Sequence, residues 1–356
     1  MRIMVTGAAG YIGSHAVQGL LARGHTVLAV DNLSRGHAAA IETLRASLSG
    51  DARQRLAFQR ADTGDREAML SLLNEHGVEA VMHFAAYAYV GESVTDPLAY
   101  HRNNTAAVIE LLDACARAHD GAGVGCFVFS STCATYGQPD AVPIKETEKQ
   151  SPINPYGWSK LHVERILADH AEAQKRAGKD FAFAALRYFN VAGCDRSGVL
   201  GEHHDPEPHI IPVLLQTALG QRDSASIFGT DYPTPDGTCI RDYIHVEDLV
   251  DAHAVVLDAL RPGDARHYNL GIGKGYSVRE IIEATKRVTG VDFKVVEGER
   301  RPGDPPQLFA DPAKIRTELG WSARITDLDE IIRSAWTWFR AHPHGYATPQ
   351  RSPAHA

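Results

Sequence analysis

The chain has 356 residues, of which 44% are hydrophobic and 22% charged, and its formal net charge is -8. These proportions exclude disordered and fibrous classes, and the length suits one large domain with a smaller second one. Proteins that bind nucleic acid or anionic membranes usually carry a basic excess, so neither partner is expected here.

The chain has five cysteines, an odd number with no pair at CxxC spacing. We therefore expect neither a disulfide framework nor a zinc site, and a reducing compartment suits the composition. The sequence has no apolar run of 18 residues and no signal-peptide pattern before the glycine-rich loop at 7–13. The protein is accordingly predicted to be cytoplasmic, with no membrane span.

The first 190 residues alternate between short apolar runs and amphipathic stretches. Apolar runs without strict alternation predict strands buried on both faces, and their alternation with helices predicts a parallel sheet covered on both sides. The predicted strands are 2–5, 26–30, 56–59, 80–84, 127–130 and 181–186, and the predicted helices include 12–22, 67–74, 103–118 and 156–176. The predicted fold class is α/β, with a doubly wound, mostly parallel Rossmann sheet in residues 1–190.

The rhythm breaks after about residue 190, where loops rich in Gly, Pro, Asp and His occupy 198–212 and 229–237. Two helices are predicted at 278–288 and 328–340, with a short strand at 293–296. We expect residues 191–346 to form a smaller mixed α/β lobe that binds substrate, and a segment near 240–255 to return to the first domain. Residues 347–356 are predicted to be a disordered tail.

A glycine-rich loop, Gly7-Ala8-Ala9-Gly10-Tyr11-Ile12-Gly13, follows the first predicted strand and opens the first helix. Its glycines permit a tight turn and let backbone N–H groups approach a pyrophosphate, although purely structural glycine turns are also common. Asp31 ends the second strand, where a carboxylate binds the adenosine ribose and favours NAD over NADP. Alternatively, Asp31 is a turn residue before Asn32, and Arg35 nearby leaves room for NADP.

Two further strand ends fall at the same predicted edge of the sheet. Asp62 and Thr63 follow the third strand, and Phe84, Ala85 and Ala86 end or follow the fourth. In open α/β sheets, ligands bind at the carboxyl ends of the strands. Asp62 therefore either meets the adenine amino group or caps the next helix.

The segment Tyr156-Gly157-Trp158-Ser159-Lys160 follows Pro155, a residue typical of helix starts. Tyr156 and Lys160 would then lie one turn apart on one helix face. A tyrosine has a pKa of about 10 and is a weak base, so a nearby ammonium group would help it by favouring the phenolate. Thr132, at the end of the fifth strand, offers a hydroxyl that can relay a proton, or is simply a β-branched strand terminus.

These residues together resemble the extended short-chain dehydrogenase/reductases and, within them, the UDP-glucose (UDP-galactose) 4-epimerases. The resemblance runs from residue 1 to about residue 346. Further matching segments, in chain order, are His83-Phe84-Ala85, Val90-Gly91-Glu92-Ser93, 129–137, Leu186-Arg187-Tyr188-Phe189-Asn190, Ile227-Phe228-Gly229, Arg241-Asp242-Tyr243-Ile244-His245-Val246, Tyr268-Asn269-Leu270-Gly271 and Arg300-Arg301-Pro302-Gly303-Asp304.

The resemblance implies an isomerase that reversibly epimerises C4 of a UDP-hexose, by transient hydride transfer to tightly bound NAD through a 4-keto sugar. It implies Tyr156 as the base, Thr132 as the relay, Lys160 as a cofactor clamp, and a homodimer formed through helices of the Rossmann domain. The resemblance also implies that Arg241 and Arg301 grip the diphosphate, since guanidinium forks match phosphate oxygens, although from the sequence alone each could equally form a surface salt bridge. The expected cofactor contacts are Gly7, Gly10, Tyr11, Ile12, Gly13, Asp31, Asn32, Asp62, Thr63, Phe84, Ala85, Ala86, Asn103, Lys160 and Tyr188, and the expected substrate contacts are Thr132, Tyr156, Asn190, His209, Ile210, Phe228, Arg241, Arg301 and Asp304.

Several positions depart from the family pattern. Ala88 stands where the best-known members have lysine, Thr132 where serine is frequent, and His209-Ile210 where others have Asn-Leu. Leu308 replaces a gate residue that is tyrosine in some members. The segment 130–137 also resembles UDP-arabinose 4-epimerases, so UDP-xylose/UDP-arabinose and UDP-N-acetylhexosamine remain alternative substrates.

Other activities of the same fold are less consistent with the sequence. Nucleotide-sugar 4,6-dehydratases need an acid and a base beside the relay hydroxyl, where this chain has Cys133-Ala134, and a UDP-glucuronate decarboxylase tends to carry glutamate at Ala134. A plain dehydrogenase that releases NADH is harder to exclude. A non-catalytic dinucleotide sensor need not keep Tyr156 and Lys160. The histidines of His203-His204-Asp205 and His209 are interpreted as solvated loop residues, and no metal is expected.

Overall fold

The computed structural model describes residues 1–301 and 304–346, so the predicted tail at 347–356 lies outside the described residues. Fourteen strands form within them. They are β1 (Arg2–Thr6), β2 (Thr26–Asp31), β3 (Leu56–Arg60), β4 (Ala80–His83), β5 (Cys126–Thr132), β6 (Ala182–Tyr188), β7 (Asn190–Ala192), β8 (Ala225–Phe228), β9 (Ile240–Arg241), β10 (Tyr243–His245), β11 (Ala265–Leu270), β12 (Tyr276–Ser277), β13 (Val295–Gly298) and β14 (Gln307–Leu308).

Thirteen α-helices accompany these strands in the described ranges, and none of them is both long and apolar enough to cross a membrane. A π-helical turn, Arg102–Ala106, joins the sixth to the seventh, and a 3₁₀ turn, Cys133–Thr135, follows β5. The helices are α1 (Tyr11–Ala22), α2 (Ala38–Ser47), α3 (Gly50–Gln54), α4 (Arg66–Glu75), α5 (Val90–Thr95), α6 (Pro97–His101), α7 (Ala107–Arg117), α8 (Pro155–Arg176), α9 (Ile210–Ala218), α10 (Val246–Ala259), α11 (Val278–Thr289), α12 (Ala313–Leu319) and α13 (Leu328–Ala341).

The large sheet has seven strands in the order β11-β6-β5-β4-β1-β2-β3, and every pairing in it is parallel. The predicted α/β fold with a Rossmann sheet is therefore confirmed. The order reverses between β1 and β4, the switch point where ligands bind in such sheets. Because all strands run the same way, their carboxyl ends share one edge, where Thr132 lies opposite Tyr188 and Thr6 opposite His83.

Helices cover both faces of this sheet, as its apolar strands require. One core cluster joins the sheet to α1 and α10 through residues such as Val17 and Val256. The other joins it to α4, α7 and α8 through residues such as Leu73, Leu111 and Val163. The sheet is thus held rigidly from both sides, which fixes the positions of its strand ends.

The return of the chain to the large sheet is longer than the predicted 240–255. Helix α10 packs against α1, and β11 then pairs with β6 to become the edge strand of the seven. The strand β11 gives a weak sequence signal because only its last three residues are buried. The prediction missed it for that reason.

The smaller lobe is built from short pieces. Strand β8 pairs with β13. Strand β9 lies between β12 and β14 and forms only two residue pairs with each of these two strands. Helices α11 and α13 are the two helices predicted for this part, and they pack on each other and on α9. Side-chain contacts therefore have a larger share in holding this lobe together than the backbone ladders do.

The predicted homodimer would use helices of the Rossmann domain. Helices α5 and α6 pack against α8. Each of the three helices exposes a large apolar side chain: Val94 on α5, Leu98 on α6 and Trp158 on α8. Homodimer formation stays a prediction.

Candidate active site

The loop between β1 and α1 approaches the loop after β4 too closely for side chains. Gly7 has φ +69°, and a Cβ there would lie 2.5 Å from the Ala85 nitrogen. A Cβ on Gly13 would lie 2.0 Å from the Gly7 carbonyl oxygen. In the described part of the chain no side chain caps α1, so N–H groups of its first turn are left for an anion. This cradle fits the pyrophosphate of a dinucleotide.

Asp31, the last residue of β2, organises this cradle. Its two carboxylate oxygens accept the backbone N–H groups of Ala9 (2.9 Å) and Leu33 (2.7 Å). Burial raises the pKa of Asp31, against the lowering effect of these two hydrogen bonds. The turn and the cofactor interpretations of Asp31 are thus compatible, because the same carboxylate shapes the loop and lies at the strand end.

Asp62 does not cap the helix that follows it. Its oxygens accept from the Asn32 side chain and from the Gly64 N–H, both at 2.7 Å. The residue that caps α4 is Asp65, which accepts from the Ala68 N–H at 3.0 Å. Of the two alternatives for Asp62, the helix cap is wrong, and the adenine contact stays a prediction, as does the role of Thr63 beside it.

Tyr156 and Lys160 lie one turn apart at the start of α8. The Asn154 side chain caps this helix by accepting from the Gly157 N–H at 2.8 Å, and Pro155 takes the first helical position. The Lys160 ammonium is buried and donates to the Ser130 carbonyl at 2.9 Å. Burial lowers the pKa of Lys160 to about 7.

In the protein chain alone, the surroundings of Tyr156 raise its pKa, whereas the expected lowering depends on Lys160 together with a cationic nicotinamide. Burial raises the pKa of Tyr156, the charge of Tyr188 raises it further, and hydrogen bonding with Thr132 opposes both. A lowered pKa of Tyr156 stays a prediction, because the charge of the nicotinamide is part of the expected effect.

Thr132 ends β5 beside this pair. Its hydroxyl oxygen accepts from the Ala134 N–H at 3.1 Å and so starts the 3₁₀ turn that contains Cys133 and Ala134. The turn brings no carboxylate to the position where a dehydratase needs its acid and base. The hydroxyl of Thr132 keeps its own proton available for donation.

A buried polar network next to the end of β5 was not predicted. Ser131 donates to Glu164 at 2.5 Å, and Glu164 forms an ion pair with Arg187 at 2.6 Å. Arg187 also donates to the Tyr136 hydroxyl at 2.9 Å, which in turn donates to Asn269 at 2.7 Å. The network ties β5, β6, α8 and β11 together directly below Thr132.

Residues predicted to contact the diphosphate and the uridine lie close together at an opening of the smaller lobe, the mouth, beside Arg301 and Asp304. Arg241 forms an ion pair with Asp304, and the Arg301 guanidinium lies 4.0 Å from the centre of the Phe228 ring. A cavity of about 270 Å³ opens there. It is lined by Gln138, Tyr232, Arg300, Arg301, Asp304, Pro305 and Pro306. Gln138, Tyr232 and Arg300 were not predicted, and residues 302 and 303 lie outside the described residues.

Two other predicted residues have local partners. The Asn190 N–H donates to the Asp242 carbonyl at 3.1 Å where β7 meets β10. Asn103 lies in the π-helical turn and donates to Asn104 at 2.9 Å. Asn104, which was not predicted, is the residue that connects the Tyr87 backbone to the Ser159 hydroxyl.

His209 and Ile210 lie at the start of α9. The His209 side chain does not line the cavity at Asp304 and belongs to a cluster of histidines and glutamates. Its ring nitrogen lies 2.8 Å from Glu207 and 3.2 Å from Glu202. Burial alone would lower the pKa of His209, but hydrogen bonds with the two carboxylates raise it to about 10. With His204, these residues are the one group in the described residues whose donor atoms converge as metal ligands do, although no metal was expected.

Comparison with known proteins gives concordant matches. A family model described as GDP-mannose 4,6 dehydratase matches residues 4–335. The chain is 49% identical to a probable UDP-arabinose 4-epimerase 1 of Oryza sativa subsp. japonica, over 98% of this chain and 82% of that one. It is 44% identical to a UDP-glucose 4-epimerase of Halalkalibacterium halodurans, over 99% of each. A solved UDP-glucose-4-epimerase from Stenotrophomonas maltophila, with bound NAD and formylated UDP-arabinopyranose, superposes with a TM-score of 0.88 at 41% identity, over 96% of this chain and 99% of that one.

Proposed function

Because the chain belongs to the GDP-mannose 4,6 dehydratase family and, within it, to the NAD-dependent UDP-sugar 4-epimerases, we propose that it reversibly inverts C4 of a UDP-hexose, interconverting UDP-glucose and UDP-galactose. The observation that carries the proposal is the arrangement of Tyr156, Lys160 and Thr132 at the edge of the sheet that also holds the glycine cradle.

In this proposal, the cofactor lies in the Gly7–Gly13 cradle with its ribose hydroxyls at Asp31. When bound, NAD supplies the hydride acceptor and donor for C4 of the sugar. Lys160 holds the nicotinamide end, where it is already fixed by the Ser130 carbonyl. The remaining strand-end residues, from Asn32 to Tyr188, line the cofactor along the edge.

Tyr156 takes the proton of the C4 hydroxyl, directly or through Thr132, and later returns it. The positive charge that Tyr156 lacks in its buried surroundings comes with the oxidised cofactor, since an opposite charge nearby favours the phenolate. Thr132 suits the relay because its oxygen already accepts from Ala134 and its proton remains free to be donated. Base and relay together supply about 10²–10⁴-fold of general acid–base catalysis.

Arg241 and Arg301 bind the diphosphate, and Phe228 and Asp304 contact the uridine part. Gripping the substrate by its diphosphate leaves the sugar free to turn and present either face of C4. The cavity beside Asp304 is lined by two arginines, which suits an anionic ligand. Asn190, His209 and Ile210 complete the proposed substrate contacts.

A UDP-pentose is a second candidate substrate. The relative with 49% identity is named a probable UDP-arabinose 4-epimerase, and the one with 44% a UDP-glucose 4-epimerase. Leu308, at the gate position, packs with Cys133, Val142 and Phe189 in a small apolar cluster next to Thr132. A gate without a hydroxyl imposes no polar requirement on the sugar.

The proposal is tested by incubating the protein, without added NAD, separately with UDP-glucose, UDP-xylose and UDP-N-acetylglucosamine. We expect the C4 epimer of UDP-glucose to form fastest, as resolved by chromatography, with no net NADH. Faster conversion of UDP-xylose would replace the hexose assignment by the pentose one. Stoichiometric NADH release, or no epimer from any sugar even with NAD supplied, would contradict epimerisation.

Tyr156→Phe tests the base. The substitution removes one hydroxyl and should lower kcat by about 10²–10⁴-fold, with KM and bound NAD little changed, because the phenol acts on the proton and not on binding. Tyr268→Phe is the matched control: its hydroxyl donates to Glu318 on the far side of β11. Comparable kcat values for the two variants would remove Tyr156 from the mechanism.

A further inference from the structure

The loop between β7 and α9 places four side chains with metal-binding atoms at one point. Glu202, His204, Glu207 and His209 each direct one nitrogen or oxygen inward, and these four atoms all lie within 4.8 Å of one another. The residues come from a stretch of eight without regular secondary structure. Because no helix or strand aligns these residues, the loop itself must direct all four side chains to this point.

Three of the four histidine–carboxylate separations are close to those in a tetrahedral zinc site. Both histidines use Nδ1. The Nδ1 atom of His204 lies 3.4 Å from Glu202 and 3.3 Å from Glu207. The Nδ1 atom of His209 lies 3.2 Å from Glu202 and 2.8 Å from Glu207. Zinc binds histidine nitrogen and carboxylate oxygen at about 2.0–2.2 Å, so two ligands of a tetrahedral ion lie about 3.3–3.5 Å apart. To admit the ion, the 2.8 Å contact between His209 and Glu207 must lengthen, and any of the four atoms that are farther apart, up to 4.8 Å, must move closer together.

The charges of the cluster are compatible with a divalent cation. The side chains of Glu202 and Glu207 are only 3% and 2% exposed. Among the described residues, no lysine or arginine forms a salt bridge with either carboxylate. Two buried carboxylates side by side are costly unless cations neutralise them, and in the structure His204 and His209 pair with both of them. One divalent ion can supply the same two charges when both imidazole rings release a proton.

The surroundings provide the support and the access that a bound ion needs. The His209 N–H donates to Glu207 at 2.9 Å, and the ring of Tyr11 meets that of His204 edge-on at 6.2 Å. A cavity of about 380 Å³ borders Glu202, His204 and Glu207 and opens a path for entry. Ligands, distances, support and entry path are thus all present.

We propose that Glu202, His204, Glu207 and His209 bind one zinc ion that fixes the loop between β7 and α9 against Tyr11 of the cofactor loop. The ion has a structural role, since four protein ligands close a tetrahedral site. It sets the direction in which α9 starts. Because His209 is also a proposed substrate contact, zinc binding is measured without sugar, which separates this test from that of the epimerase proposal.

The test uses the full chain prepared without a polyhistidine tag, stripped with a chelator, exposed to excess zinc chloride and passed through gel filtration. We expect about one zinc per chain by elemental mass spectrometry, and a rise in Tm on adding zinc to the stripped protein. Cobalt in place of zinc should give the intense absorption bands of tetrahedral coordination. Absence of retained zinc together with an unchanged Tm would overturn the proposal.

Glu207→Gln and His204→Gln remove one ligand each and should retain less than about a fifth of the zinc, as loss of a ligand from a closed site predicts. The matched control is His203→Gln, because that imidazole is adjacent in sequence but stacks on His37, with 4.2 Å between ring centres. Equal zinc in the control and in the ligand variants would assign the ion to another place. Circular dichroism shows whether each variant is folded. If a variant is unfolded, the proposal is judged on the Tm of the wild-type protein with and without zinc.

Discussion

Each half of the molecule contains an arginine–carboxylate pair, and the two pairs differ in their surroundings. In the Rossmann half, the Arg187 and Glu164 side chains are 5% and 2% exposed. In the smaller lobe, the Arg241 and Asp304 side chains are 13% and 31% exposed, and Asp304 lines the cavity at the mouth. The arginine–carboxylate pair is therefore buried in the Rossmann half and accessible to solvent in the smaller lobe.

This difference in exposure is what we expect between a structural arginine, such as Arg187, and an arginine proposed to bind a ligand, such as Arg241. The Glu164 carboxylate is fully engaged, since Ser131 and Gln150 donate to it as well as Arg187. A pair that is buried among this many partners is closed to a ligand from solvent. At the mouth, by contrast, a phosphate oxygen can take the place of Asp304 on the Arg241 guanidinium at little cost, because water already reaches the carboxylate.

The largest effect on stability is expected for Glu164→Gln. The substitution leaves the Arg187 charge buried without its counter-ion and should lower the free energy of unfolding by about 3–5 kcal/mol. Urea denaturation monitored by circular dichroism measures this. Glu172→Gln is the matched control on the same helix, because Glu172 pairs with the exposed Arg176 at i, i+4 and should change stability by about 0.5 kcal/mol or less.

The pH dependence of unfolding gives a second measure of the same pair. Burial would raise the pKa of Glu164, but hydrogen bonds and charge from Arg187 overcome it and hold the pKa below its ordinary value of 4.5. A carboxyl with a lowered folded-state pKa stabilises the fold above its unfolded pKa and loses that contribution as pH falls through the folded value. The wild-type protein should therefore lose more stability than Glu164→Gln below about pH 4.5. Parallel pH profiles would show that the pair is not the source.

The sequence predicted the geometry of the glycine cradle and of the Tyr156–Lys160 pair more completely than the contacts around Arg241 and Asp304. The glycine cradle is contiguous in sequence, and the Tyr156–Lys160 spacing needs only one helix turn to be meaningful. For such motifs, local structure alone determines which side chains meet. The same holds for the strand ends, since parallel strands share one edge.

Long-range pairings were missed because no local pattern encodes them. Glu164 and Arg187 lie 23 residues apart, and Tyr136 and Asn269 lie 133 apart. The histidine–glutamate cluster was interpreted as solvated loop because, outside helices and strands, spacing does not predict the direction of a side chain. The strand β11 was missed since half of it is not buried.

The smaller effect, on substrate affinity, is expected for Arg241→Met. Loss of charge-assisted hydrogen bonds to the diphosphate should cost about 1.5–3 kcal/mol, a rise in KM of about 10–150-fold, with kcat within about threefold. Stability should change by about 1 kcal/mol or less, since the pair is partly solvated. Steady-state kinetics and urea denaturation on the same preparations separate the two quantities.

Arg279→Met is the control in the same lobe, because Arg279 pairs with Glu297 on the surface at 2.6 Å and lies outside the cavity lining. It should leave KM unchanged. The distinction between the two arginine pairs predicts opposite outcomes: Glu164→Gln lowers stability, and Arg241→Met raises KM. If Arg241→Met instead destabilises the protein as strongly as Glu164→Gln and leaves KM unaltered, then Arg241 and Asp304 form a second structural pair, and the diphosphate must be held by Arg301 without Arg241.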